Sequence, residues 1–260
     1  MKTIKSNILQ LTFLSIIVIA YITSCKHGGE GKSSKARIQD SIASITSNVD
    51  GAGRSIEIEM IKGKAHNHPT FAIWMEDTAG NYIQTLFVTK AIGQGIFGHA
   101  DNSGGTWKPG EVHRPAALPY WAHKRGVKNE VGSFEPTPKT KVPDAYSGAT
   151  PSGSFRLNTR TDAALKGKVN ILLEINQPWD WNEYWNNTLY AEDAAYKTSC
   201  QPAVVYSAVI DLENPGLSIE MKPVGHSHYS GKTGDLFTDL STITTALHIA
   251  EQIKVTLKQM

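Results

Sequence analysis

The chain has 260 residues, 40% of them hydrophobic, two cysteines and a formal net charge of +2. That length supports one large β domain or two small ones with a proper core, and so small a net charge gives no sign of a nucleic-acid binder. No P-loop, dinucleotide fingerprint or Gly-x-Ser-x-Gly elbow occurs, so nucleotide-dependent and hydrolase readings lose their main support.

At the N-terminus, Lys2 and Lys5 precede an apolar run from Ile8 to Ile22, the layout of a secretory signal. The run is short for a bilayer crossing, which takes roughly 20 residues. It closes on Ile22-Thr23-Ser24-Cys25, an aliphatic, small, small, Cys pattern that predicts cleavage before Cys25 and lipidation of its thiol. Lys26 lacks an acidic inner-membrane retention cue, so the expected location is the outer membrane, with the domain facing the periplasm. Cys200 is then the only thiol left; no intrachain disulfide can form, and a buried, inert cysteine is expected.

Residues 26–35 are rich in Gly, Ser and Lys and read as a tether. Ile38, Ile42, Ile45 and Val49 have the spacing of one helical face, though the segment also suits a linker. The folded domain is expected from residue 55 onward. Ile56, Ile58 and Met60 alternate with Glu57 and Glu59 as in a half-buried strand. Strands over Thr70 to Glu76 and Tyr82 to Thr89 follow, joined by a turn at Asp77-Thr78-Ala79-Gly80-Asn81. The stretch 91–143 is irregular and rich in Gly and Pro, apart from a short helix expected over Ala116 to His123. Irregular insertions of this length in compact domains are usually functional. Further strands are expected at Ser154 to Thr159, Lys168 to Asn176, Val204 to Asp211, Leu217 to Lys222 and His248 to Lys258. Together they predict a mostly all-β fold, an immunoglobulin-like or related antiparallel sandwich with a long irregular insertion. Thr242 to Ile253 mixes helical spacing with β-branched content and fits either state.

The sharpest chemical signal is Asp144-Ala145-Tyr146-Ser147-Gly148-Ala149-Thr150. It resembles the recognition sequence of flavin transferases, which join the phosphate of FMN to a threonine hydroxyl. In that reading Thr150 is the acceptor, Gly148 and Ala149 leave room for the transferase, and Asp144 with Ser147 completes the pattern. The same residues, with Pro151, Ser152 and Gly153, also serve as a turn into the next strand. The wider chain resembles the predicted periplasmic family called domain of unknown function 2271. The blocks that carry the resemblance are Phe71 to Asp77, Gly80 to Leu86, Trp121 and Asp144 to Pro151. It implies a small exported β-sandwich beside membrane-bound or flavin-linked redox systems, and no catalytic residues. Where the family commonly has Trp-Asp-Gly after the Gly-Ala-Thr block, this chain has Asn158-Thr159-Arg160-Thr161-Asp162.

Two further features carry chemistry. His66-Asn67-His68 and His226-Ser227-His228 would each present two imidazoles on one side if extended, a set suited to copper or zinc. Trp179, Trp181, Glu183 and Trp185 alternate as if on one strand face, which suits a sugar platform, a docking surface or a core stack. Two functions follow from these features. The first is an accessory electron-transfer protein carrying FMN at Thr150, served by a flavin transferase and a membrane-bound reductase. The second is a non-catalytic lipoprotein that binds a ligand or partner through the tryptophans.

Overall fold

The computed structural model describes residues 42–259; the leader, Cys25 and the tether lie outside them. The described chain is a two-sheet β-sandwich, as the alternation predicts. One sheet has the order β1-β8-β2-β13-β11: β1 (Ala43–Thr46), β8 (Phe155–Arg160), β2 (Ser55–Lys62), β13 (Ala250–Leu257) and β11 (Ser218–Glu220). The other has the order β12-β10-β9-β3-β4-β7: β12 (Lys222–His226), β10 (Val204–Asp211), β9 (Lys168–Asn176), β3 (Thr70–Glu76), β4 (Tyr82–Thr89) and β7 (Ser147–Gly148). Pairing is antiparallel except at two edges, where β1 runs parallel to β8 and β7 parallel to β4.

The sheets meet through Ile56, Ile58 and Met60 of β2, Phe155 and Leu157 of β8, and Phe71, Ile73 and Met75 of β3. Phe71 stacks on Phe155 across the interface, with ring centroids 5.0 Å apart. Burying each such side chain contributes about 1.5–3 kcal/mol.

The six-stranded sheet is also covered on its outer face. Trp74, Ala72, Val88, Leu172 and Val205 pack under Ala117, Leu118, Tyr120, Trp121 and Val142 of the long insertion. This second cover explains why β3 and β9 are buried on both faces, whereas β2 keeps the alternation of a half-exposed strand. The insertion itself contains α1 (Lys90–Gln94), a hairpin of β5 (Ile96–Asp101) and β6 (Lys108–Glu111), and α2 (Pro119–Arg125).

Three local expectations are corrected. The described part of the segment that fits a helix or linker forms β1, so the sheet begins before residue 55; Ala43 to Thr46 pair with Phe155 to Asn158. The single strand expected over Leu217 to Lys222 is two strands in different sheets, with Met221 between β11 and β12. Residues 179–185 form no strand; they run through turns and bends, and Trp179 has φ +63°. For Thr242 to Ile253, both spacings have a basis: a 3-10 turn at Thr245–His248 leads directly into β13.

Candidate functional site

The register sets Thr70, Thr89, Gly148, Asn176, Val204 and His226 at one end of the six-stranded sheet. Five connections leave from that end, residues 63–69, 90–146, 149–154, 177–203 and 227–249, three of them long. The flavin-like motif, both His-x-His elements and the tryptophan segment all fall in or beside them.

The Asp144 motif lies along the sheet's edge. Asp144 opens a 3-10 turn and accepts a hydrogen bond from Gln94 Nε2 at 2.8 Å. Ser147 and Gly148 then pair with Val88 and Thr89 as β7. Gly148 is required by packing, since a Cβ there would lie 2.9 Å from Cε2 of Phe87. Ser147 Oγ is buried without a partner. The Tyr146 hydroxyl donates to Asp162 Oδ1 at 2.7 Å, and burial together with that carboxylate pushes its pKa up to about 12. Thr150, past the end of the strand, is half-buried, and its hydroxyl has no protein partner among the described residues.

The two histidine pairs do not meet. The 66–68 turn enters β3 and His226 ends β12, with β10 and β9 between them, a separation of about 14 Å at ordinary strand spacing. His68 has φ +55° and is exposed, so the first element is not extended. His66 Nε2 is buried without a partner, and burial pushes its pKa down. His226 and His228 do share a side, but both rings face Phe237, with centroids 5.4 and 6.0 Å away. His228 also stacks on Tyr229, and its pKa is lowered by burial and then by the charge of Lys232. Among the described residues no group of three or more His, Cys, Asp and Glu is arranged to hold a metal ion.

The tryptophans divide. Trp179 and Trp181 are 48% and 55% exposed. Trp185 turns inward beside Tyr196 and Tyr229, and Tyr229 stacks on Tyr190 at 4.2 Å. Asp180 and Glu183 are not joined into a carboxylate pair by any hydrogen bond or ion pair to each other among the described residues. Cys200 is buried as expected, and burial raises its pKa.

Sequence reasoning missed Glu174. It lies on β9 at 0% exposure and accepts hydrogen bonds from the backbone N–H of Tyr120 at 3.1 Å and Trp121 at 2.7 Å. Desolvation outweighs those bonds and pushes its pKa up to about 8. Two residues on, Asn176 Nδ2 donates to Ala116 O, Ala117 O and Ser199 Oγ. These two β9 side chains pin the insertion to the sheet. The available signal was an acid inside the apolar run Ile171-Leu172-Leu173-Glu174-Ile175. Beside α2, a cleft of about 280 Å³ is lined by Pro119, His123, Phe134, Glu135, Gly231 and Lys232. His123 Nδ1 donates to Pro119 O at 2.8 Å, which leaves Nε2 as the lone-pair nitrogen of the neutral ring.

No protein-family model, curated protein or solved structure matches this chain.

Proposed function

We propose that this protein is a membrane-tethered carrier of covalent FMN, attached at Thr150 and serving an extracytoplasmic electron-transfer system. The observation that carries the reading is the open Thr150 hydroxyl within the Asp-x-x-Ser-Gly-Ala-Thr pattern, half-buried and without a protein partner among the described residues. Transfer from a flavin dinucleotide would form a bond from Thr150 Oγ to the FMN phosphorus. The pyrophosphate bond would break, releasing AMP and the hydroxyl proton. Once attached, the flavin supplies one- and two-electron chemistry that no side chain offers.

The chain's own residues position the acceptor. Pairing of Ser147 and Gly148 with β4 anchors one side of the 149–154 connection, and β8 anchors the other. Ala43 N donates to Ser154 O at 2.9 Å, so the described chain begins beside this connection. The leader pattern ending at Cys25 supports a lipid anchor in the outer membrane, and a membrane-bound reductase would supply the electrons. Copper or zinc shared by His66, His68, His226 and His228 would require the two connections to move together, so FMN is the cofactor we retain.

The deciding experiment exports the mature chain from Lys26 in a host that also expresses a flavin transferase, and records its intact mass and visible spectrum. The expected result is an added FMN mass and yellow absorbance, both lost in Thr150→Ala. Unmodified, colourless protein beside an active transferase would sink the proposal. The exposure of Trp179 and Trp181 favours one second reading, a ligand- or partner-binding lipoprotein; in that case Thr150→Ala changes neither binding nor fold.

A further inference from the structure

Arg114 has no charged partner among the described residues, yet the fold holds it in place from two sides. Its guanidinium carbon sits 4.6 Å from the ring centroid of Phe97 and 4.6 Å from that of Trp179. Phe97 belongs to β5, Arg114 to the segment between β6 and α2, and Trp179 to the connection after β9. Three separate pieces of chain thus meet at the guanidinium. Trp179 is itself held in position, because its indole N–H donates to Lys197 O at 3.0 Å and its backbone N–H to Ser199 O at 2.7 Å. It adopts φ +63°, a left-handed conformation that costs a bulky side chain on the order of 1 kcal/mol or more.

The acids near Arg114 in sequence are engaged elsewhere. His113 lies 3.5 Å from Glu111 and 3.2 Å from Glu135, and no ion pair to Arg114 occurs among the described residues. Arg114 Nε is buried with no hydrogen-bond partner. Its two Nη atoms have no protein partner among the described residues and are not buried. Burial alone lowers the pKa of the group, with no carboxylate to offset it. A guanidinium stripped of part of its water, set against two aromatic rings and left with its fork open is prepared for a planar acceptor.

We infer that Arg114, held against Phe97 and Trp179, is a binding site for an oxyanion, a carboxylate or phosphate group that accepts two parallel N–H bonds from the Nη fork while the ligand's body lies against the exposed indole of Trp179. The site does not depend on flavin attachment at Thr150. Its cation–π contacts are strengthened by partial desolvation, and the pre-set geometry spares the rotamer entropy that a free arginine loses on binding.

The test titrates the full chain, purified in detergent, with inorganic phosphate and separately with benzoate, by calorimetry and thermal midpoint. At least one probe should bind saturably, with Kd on the order of 1 mM. Arg114→Gln should abolish that binding. Arg114→Lys keeps the charge but loses the fork, and should weaken binding about tenfold, or 1.4 kcal/mol. Trp179→Leu should weaken benzoate more than phosphate. Binding of phosphate alone identifies a phosphate-type ligand, and binding of benzoate alone identifies a carboxylate on a flat body; both support the site. The inference is overturned if neither probe binds saturably, or if folded Arg114→Lys binds as tightly as the native chain.

Discussion

The two ends of the sandwich are built by different means. At one end the 77–81 turn is closed mainly by its own residues, and the neighbouring 47–54 and 161–167 connections bond to each other, Arg54 N–H donating to Thr161 Oγ1 at 2.9 Å. In the 77–81 turn, Asp77 Oδ1 accepts from the N–H groups of Ala79 and Asn81, both 2.9 Å away, and Gly80 takes φ +84°. At the other end the long connections are satisfied from far away in sequence. Trp121 N–H reaches Glu174 across 53 residues, and Asn176 reaches Ala116 across 60. A turn that closes on itself needs little from the rest of the fold, whereas a long connection can be ordered only by partners on other strands. Buried polar groups and candidate chemistry therefore collect at the long-connection end.

This contrast can be broken by substitution. Trp121→Ala should have the largest effect, a loss of about 3–5 kcal/mol, because Trp121 is fully buried and its indole N–H donates to Thr85 Oγ1 at 3.0 Å. Denaturant unfolding measures it. Glu174→Ala should follow at about 3 kcal/mol, since it leaves two buried backbone donors unpaired. Native-state hydrogen exchange should show protection lost first over α2, and a uniform loss across the sandwich would contradict the anchoring role.

Glu174 also predicts a pH dependence. Its folded pKa, about 8, lies above the ordinary carboxylate value of 4.5, so the native state holds a proton that the unfolded chain releases between those values. Its contribution is fully present below about pH 4.5 and is lost as pH rises towards and through about 8. Unfolding midpoints should fall across that window in the native protein, and Glu174→Gln should flatten the slope. An unchanged slope would assign the dependence to another group.

Gly148→Ala should cost less, about 1–3 kcal/mol, because the added methyl meets the Phe87 ring, which already stacks on Phe71 at 5.4 Å. Asp77→Ala at the short-turn end should have the smallest effect of the four, lowering the thermal midpoint less than any substitution at the other end. A larger drop than for Gly148→Ala would erase the difference between the ends.

The legibility of the sequence follows the same division. The bounds of β3, β4, β9 and β10 agree with their apolar runs, because strand burial is written in the residues themselves. The four-residue β1 reads as helix or linker because apolar gaps of four, three and four suit a helical face, and only β8 beside it makes the segment a strand. The Leu217 to Lys222 run gives no sign of crossing from one sheet to the other at Met221. In the tryptophan segment, alternation suggests a strand face, but the backbone turns at Trp179 to meet Arg114, a contact 65 residues distant that no local pattern encodes.

What the sequence determined by itself is the β class, the bounds of β3, β4, β9 and β10, the 77–81 turn and the presence of the Asp144 to Thr150 motif. Each depends on alternation or on residues within a few positions of one another. Tertiary structure alone decided that Glu174 anchors the insertion, that the histidine pairs stand apart and that Arg114 lies against two rings. Those outcomes depend on strand order, and strand order is settled by which apolar faces can be buried together, a property of the whole chain.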